Sequence, residues 1–244
     1  MARVVSGAFG FLAAVAMMLT AESTLAADGG VIVFGGNRGS GLEAVKVLAA
    51  KGEKVTVMVR PGSDDAALKD LKVTIVQGDA MKIEDVKAAM ASAKFRAAIS
   101  SLGGRRGDQR PDFEGNKNIV DAAKAAGIGH IVQVSAIGTG DSAAGVSPEV
   151  HKVLGPVLAE KVKGEDYLKA SGLRYTIIRP GGLSNGPATG KGMLTEDKTV
   201  GGEINRSDLG KLVADAVDDP KAVNKVYSAV DREKISTGPM KPRF

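Results

Sequence analysis

From residue 30 onward, apolar and polar positions follow a regular rhythm. Val31-Ile32-Val33-Phe34 is a continuous apolar run ending in glycines, the pattern of a strand buried on both faces. Leu42, Val45, Leu48 and Ala49 then recur at helical spacing, and Gly52 stops that stripe, which predicts a helix over 42–50. Further strands are predicted at 55–59, 73–76, 97–100, 131–134 and 175–178, separated by turn residues such as Pro61-Gly62 and Gly78-Asp79. Helices are predicted over 83–91, 116–126 and 154–170. The first of these carries Glu84 and Asp85 near its start, where the helix dipole favours acids. Residues 184–203 lack periodicity; a helix over 208–217 and a strand over 226–230 complete the chain. Strands alternating with helices at this spacing predict an α/β fold with a parallel sheet covered on both faces. No repeat, low-complexity tract or linker divides it, so a single domain is expected. His130 opens the fifth strand and is expected at the surface; Tyr167 is expected in the core.

The first residues depart from this rhythm. Arg3 precedes an apolar run from Ala8 to Leu19, followed by the small-residue stretch Thr24-Leu25-Ala26-Ala27. A positive start, an apolar middle and small residues at a cut are the order of a secretory signal, so residues 1–26 are expected to be removed on export. The folded domain is then 27–244, with a periplasmic location. The run is shorter than the roughly 20 residues of a membrane-spanning helix, so no stable span is expected after signal removal.

Composition narrows the chemistry. With no Cys, disulfides, thiolate metal sites and Cys nucleophiles are excluded, and with 2 His no metal site is expected. Trp is absent and aromatic residues make up 4%, too few for base-stacking platforms. The net charge of +5 comes from 33 Lys and Arg interleaved with 28 acids, without a basic stripe, so nucleic acid is not an expected partner. A small ligand bearing phosphate remains open.

The loop between the first strand and first helix supplies a reason for such a ligand. Gly35-Gly36-Asn37-Arg38-Gly39-Ser40-Gly41 has the spacing G-x-x-x-G-x-G. Glycines there let the chain turn sharply and let a pyrophosphate approach bare backbone, while the helix start aims free N–H groups at the anion. Gly35, Asn37, Arg38, Gly39, Ser40 and Gly41 are therefore candidate dinucleotide ligands. Dinucleotide sites that prefer NAD place an acid at the end of the second strand; here that position holds Arg60. Arg60, with Arg38, suits the 2′-phosphate of NADP, so NADP is expected over NAD. Asp79, at the end of the third strand, either accepts from the adenine amino group or simply makes the turn after Gly78.

These segments, together with Asn118-Ile119-Val120-Asp121-Ala122-Ala123, Val134-Ser135-Ala136-Ile137-Gly138, residues 171–183 and Ile204-Asn205-Arg206-Ser207-Asp208-Leu209, resemble the short-chain dehydrogenase/reductase superfamily. The nearer likeness is to its atypical, NmrA-like and NAD(P)H-binding branch, over residues 30–230. The resemblance implies a Rossmann-like, doubly wound parallel sheet with the ligand at the carboxyl ends of the strands. It implies that Ser100, Ser101 and Leu102 lie along the cofactor and that Pro180, Gly182 and Leu183 sit near its nicotinamide.

Active members of the family commonly use a Tyr four residues before a Lys, and a Ser after the fifth strand. Lys161 and Ser135 match the Lys and the Ser and are the catalytic candidates, and the resemblance implies that Lys161 also binds the cofactor by holding its nicotinamide ribose; Val157 stands where the Tyr belongs. Valine transfers no proton, so the usual carbonyl reduction is in doubt. Two readings follow. One is an NADP(H)-dependent oxidoreductase passing hydride to a small substrate or electron acceptor that needs no Tyr, such as a flavin or quinone. The other is a non-catalytic sensor or accessory protein acting through a protein partner. His151 near the mouth of the site and Arg105-Arg106 in the loop after the fourth strand are weaker candidates.

Overall fold

The computed structural model describes Met1 and residues 29–104, 110–236 and 238–241. The expected signal segment and the pair Arg105-Arg106 lie outside the described residues. The first half alternates as β1 (Gly30–Phe34), α1 (Gly39–Ala50), β2 (Val55–Val59), β3 (Val73–Gln77), α2 (Ile83–Ala91), β4 (Phe95–Ser100) and α3 (Glu114–Ala126). The second half runs β5 (His130–Val134), α4 (Pro148–Ala170), β6 (Arg174–Pro180), β7 (Gly182–Ser184), β8 (Gly192–Thr195), β9 (Glu203–Asn205), α5 (Arg206–Asp215) and β10 (Lys225–Asp231).

Eight strands form one sheet in the order β3-β2-β1-β4-β5-β6-β10-β8. Seven of them are parallel; β8 runs antiparallel against β10 at the edge. In β1, Val31 and Val33 face one layer, packing with Ala44 and Leu48 of α1 and Leu209 and Val213 of α5. Ile32 and Phe34 face the other layer, with Ile119 of α3 and Leu168 of α4. This two-sided burial is the origin of the unbroken apolar run in the sequence. The expected doubly wound, Rossmann-like sheet is the observed one, and no helix among the described residues is long and apolar enough to cross a membrane.

Three expectations are corrected. Residues 184–203, read as irregular, contain β8, and β7 pairs with β9 in a small second sheet. These strands are three or four residues long, with β7 and β8 only half buried, and too short and too mixed to show a period of two. The fourth helix begins at Pro148, six residues before the expected start, because Gly155 and Pro156 inside it interrupt the stripe. His130 is 1% exposed: its Nδ1 lies 3.1 Å from the Val217 carbonyl oxygen and its Nε2 lies 3.0 Å from the Thr176 hydroxyl. The turn after α5 covers this end of β5, a long-range contact with no local signature. Tyr167 packs its ring against the α3 layer, while its hydroxyl, at the half-buried rim, donates to Asp121 at 2.6 Å.

Candidate active site

The carboxyl ends of β1, β2, β3, β4, β5 and β6 open into a cleft of about 830 Å³. Its floor is the turn from β1 into α1. Gly35 has φ +76°, and a side-chain carbon there would stand 2.6 Å from the Ser101 carbonyl oxygen. A carbon on Gly41 would stand 2.2 Å from the Gly35 carbonyl oxygen. The chain closes this turn only because both residues lack a side chain. The leading N–H groups of α1, which like those of any helix have no intrahelical acceptor, also lack a side-chain cap among the described residues. The Ser40 hydroxyl, buried at the cleft wall, has no hydrogen-bond partner among the described residues either. An uncapped helix start beside an orphaned hydroxyl is a cradle suited to an anion.

Asn37, Arg38, Gly39, Arg60, Asp79, Ser101, Leu102, Ser135, Lys161, Pro180 and Leu183 also line the cleft. Three expected residues do not: Gly41 is internal to the turn, Gly182 lies in β7 with its N–H donating to the Gly202 carbonyl at 2.9 Å, and Ser100 is buried in β4 with its hydroxyl donating to Asn116 Oδ1 at 2.7 Å. Arg38 and Arg60 are exposed, and among the described residues neither has a carboxylate within ion-pair distance. Asp79 makes its turn, accepting from the Met81 N–H at 3.0 Å, and still stands at the cleft wall.

Ser135 and Lys161 come from opposite sides of the far end, and each is tied to a buried carboxylate that the sequence reading missed. The Ser135 hydroxyl donates to Glu165 Oε1 at 2.5 Å. Glu165, on α4, also accepts from Thr139 at 2.6 Å and from Arg179 at 3.1 and 2.6 Å, and Arg179 reaches Asp141 as well. Burial alone would raise the Glu165 carboxyl, but the Arg179 guanidinium and the two hydroxyls hold it below the usual carboxylate range. Lys161 Nζ lies 2.9 Å from Oδ1 of Asp112, which is fully buried and whose other oxygen accepts from Arg110 at 2.9 Å. One signal for Arg179 was present: an arginine between Ile178 and Pro180 of an apolar strand must be buried against an acid.

No tyrosine lines the cleft among the described residues. Val157 occupies its place, and Tyr167 is engaged with Asp121. His151 does not line the cleft; its Nε2 lies 3.0 Å from the Ala143 carbonyl oxygen, which corrects its expected place at the mouth. Arg206, the first residue of α5, does line it. Among the described residues no group of three His, Cys, Asp or Glu converges as metal ligands would.

This geometry agrees with sequence kinship. A profile of the NAD(P)H-binding family matches residues 35–220. An uncharacterised chloroplastic protein of Arabidopsis thaliana is 30% identical over 226 residues, covering 88% of this chain and 81% of that protein. The sanguinarine reductase of Eschscholzia californica is 34% identical over 127 residues, 49% of this chain and 44% of the reductase. Among solved structures, the anaerobillin reductase ChuY of Escherichia coli O157:H7 superposes with a TM-score of 0.76 at 27% identity, covering 87% of this chain and 99% of that one. The chain therefore belongs to the NAD(P)H-binding, NmrA-like branch of the short-chain dehydrogenase/reductase superfamily.

Proposed function

We propose that the protein is an NADP(H)-dependent reductase that delivers hydride to a small acceptor requiring no tyrosine proton. The observation that carries this reading is the cradle at the start of α1, flanked by two arginines that have no carboxylate partner among the described residues and closed at its far end by Lys161. The residues fit a dinucleotide: a Cβ on Gly35 or Gly41 would fill the space the backbone needs, and the orphaned Ser40 hydroxyl lacks an acceptor that a phosphate supplies.

In this reading the backbone of residues 35–41 holds the diphosphate, with Asn37 at its edge. Arg60 and Arg38 take the 2′-phosphate through charge-assisted bonds. Asp79 accepts from the adenine amino group with the carboxylate oxygen that its turn leaves free. Ser101 and Leu102 line the middle of the cofactor's path, and Pro180 and Leu183 wall the nicotinamide end. Gly182 acts through β7, whose pairing sets where Leu183 stands. A reduced nicotinamide, when bound, supplies the hydride. Lys161, steadied by Asp112, holds the adjacent ribose hydroxyls. Ser135 commits its proton to Glu165, so it offers lone pairs to the cleft and acts as an acceptor. With no phenol in the cleft, the acceptors best served are flavins and quinones, which take hydride without a proton from the protein. The names of the two reductases among its relatives support reduction as the reaction class. Residues 1–26 act as an export signal in this reading, and the domain works in the periplasm.

The second reading, a nucleotide-binding sensor or accessory protein, is favoured by one observation: the proton of Ser135 points away from the cleft. NADPH oxidation measured against flavin, quinone and aldehyde acceptors separates the two. The reductase reading expects turnover with flavin or quinone that is lost in Lys161→Ala. Nucleotide binding without turnover on any acceptor supports the sensor.

A further inference from the structure

One cation of the cleft has no role in the scheme above. Arg206 is the first residue of α5, and its side chain crosses to the glycine turn. A carbon on Gly39 would stand 3.7 Å from Nε and 3.8 Å from Cδ of Arg206. Nη1 donates to the Asn185 side-chain oxygen at 2.8 Å, which fixes the guanidinium plane. Nε and Nη2 have no partner among the described residues, and no carboxylate there lies within ion-pair distance of this arginine. Directly across stands the uncapped first turn of α1 with the Ser40 hydroxyl, 7% exposed and without a partner among the described residues.

The two walls therefore present donors to each other, and a half-buried arginine faces a positive helix end. Such an arrangement is repulsive until an anion with several acceptor oxygens lies between. Arg60 stands elsewhere, at the end of β2 where a 2′-phosphate is expected, and Arg38, the residue before α1, turns its Nη2 away to donate to the Gly103 carbonyl oxygen at 3.2 Å. We propose that Arg206 is a ligand of the dinucleotide diphosphate, closing over it from the α5 side while the α1 backbone holds it from below. The claim rests on the nucleotide reading of the cleft and adds a residue to it. It also gives α5 and the small β7–β9 sheet, which carries Leu183 and adjoins Asn185, a direct connection to the bound nucleotide.

Two nucleotide fragments isolate the contact. ADP-ribose carries the diphosphate without the 2′-phosphate; adenosine 2′-monophosphate carries the reverse. Each is titrated calorimetrically into the full chain and into Arg206→Ala, Arg206→Gln and Arg60→Ala. Losing charge-assisted bonds to a phosphate should weaken ADP-ribose roughly tenfold or more in Arg206→Ala and leave adenosine 2′-monophosphate unchanged. Arg60→Ala should do the opposite. Arg206→Gln keeps the stem and a donor for Asn185, so the ratio of the two affinities is read there if the alanine variant melts early. An equal loss on both fragments, or no loss on ADP-ribose, overturns the proposal. Unchanged ADP-ribose binding with impaired turnover would move Arg206 to the substrate. A wild-type chain that binds neither fragment removes the nucleotide reading itself, a failure distinct from that of Arg206.

Discussion

At Gly41 the first turn of α1 passes so near the end of β1 that one methyl group would overlap a carbonyl oxygen, at 2.2 Å. Gly41→Ala should cost roughly 1–3 kcal/mol of stability in urea unfolding, because neither backbone can move without opening the turn. It should weaken dinucleotide binding as well; full stability with unchanged binding would mean that the turn is not tightly closed. His130 gives a second test. Burial pushes its imidazole below the ordinary value of 6.5, only partly offset by the Val217 carbonyl. Below 6.5 the unfolded chain takes up a proton that the folded ring refuses, so stability present at neutral pH is lost as pH falls from about 7, until the folded ring is itself protonated. Unfolding free energies at pH 7.5 and 5.5 should fall less steeply for His130→Asn than for the wild type; equal slopes would assign the loss to other groups. Carboxylates held low, Glu165 among them, contribute only at more acid pH. Of these residue-scale facts, the glycine turn was legible because its reason is local. The burial of His130 was not, since the residues that cover it lie 46 and 87 positions away.

α4 is the element that carries Lys161 and Glu165 on successive turns, and both carboxylate ties described above depend on it. Glu165 pins it to β6 through Arg179, with both side chains 1% exposed. Removing Glu165 leaves the buried Arg179 with Asp141 as its one remaining acid among the described residues, so Glu165→Ala should destabilise the fold by up to roughly 3–5 kcal/mol in denaturant titration. A loss well under 1 kcal/mol would show that water reaches Arg179. The same variant frees the Ser135 hydroxyl. Helix lengths were legible where the apolar stripe is unbroken: α2 is observed at the expected residues. The start of α4 was hidden by Gly155 and Pro156, and β8 by its brevity at a sheet edge. The acids Asp112 and Glu165 were illegible because their partners, Lys161 apart from one and Arg179 from the other, meet them only in three dimensions.

For the molecule as a whole, the strand order places β1 between β2 and β4, and the chain crosses from one half of the sheet to the other at that point. Crevices at such a reversal are where open α/β sheets bind ligands. Alternation of strands and helices was enough to foresee this architecture, and twelve of the expected cofactor residues and both catalytic candidates share the resulting cleft, Lys161 counting in each set. Arg38, Arg60, Lys161 and Arg206 surround it, against Asp64 and Asp79. This excess of positive charge suits a ligand with three phosphates better than one with two. The most direct measurement is isothermal titration of the folded chain with NADPH and NADH, repeated in Arg60→Ala. The account expects saturable one-site binding, tighter for NADPH, with the preference erased in the variant. Absence of heat with either nucleotide, reduced or oxidised, would contradict it.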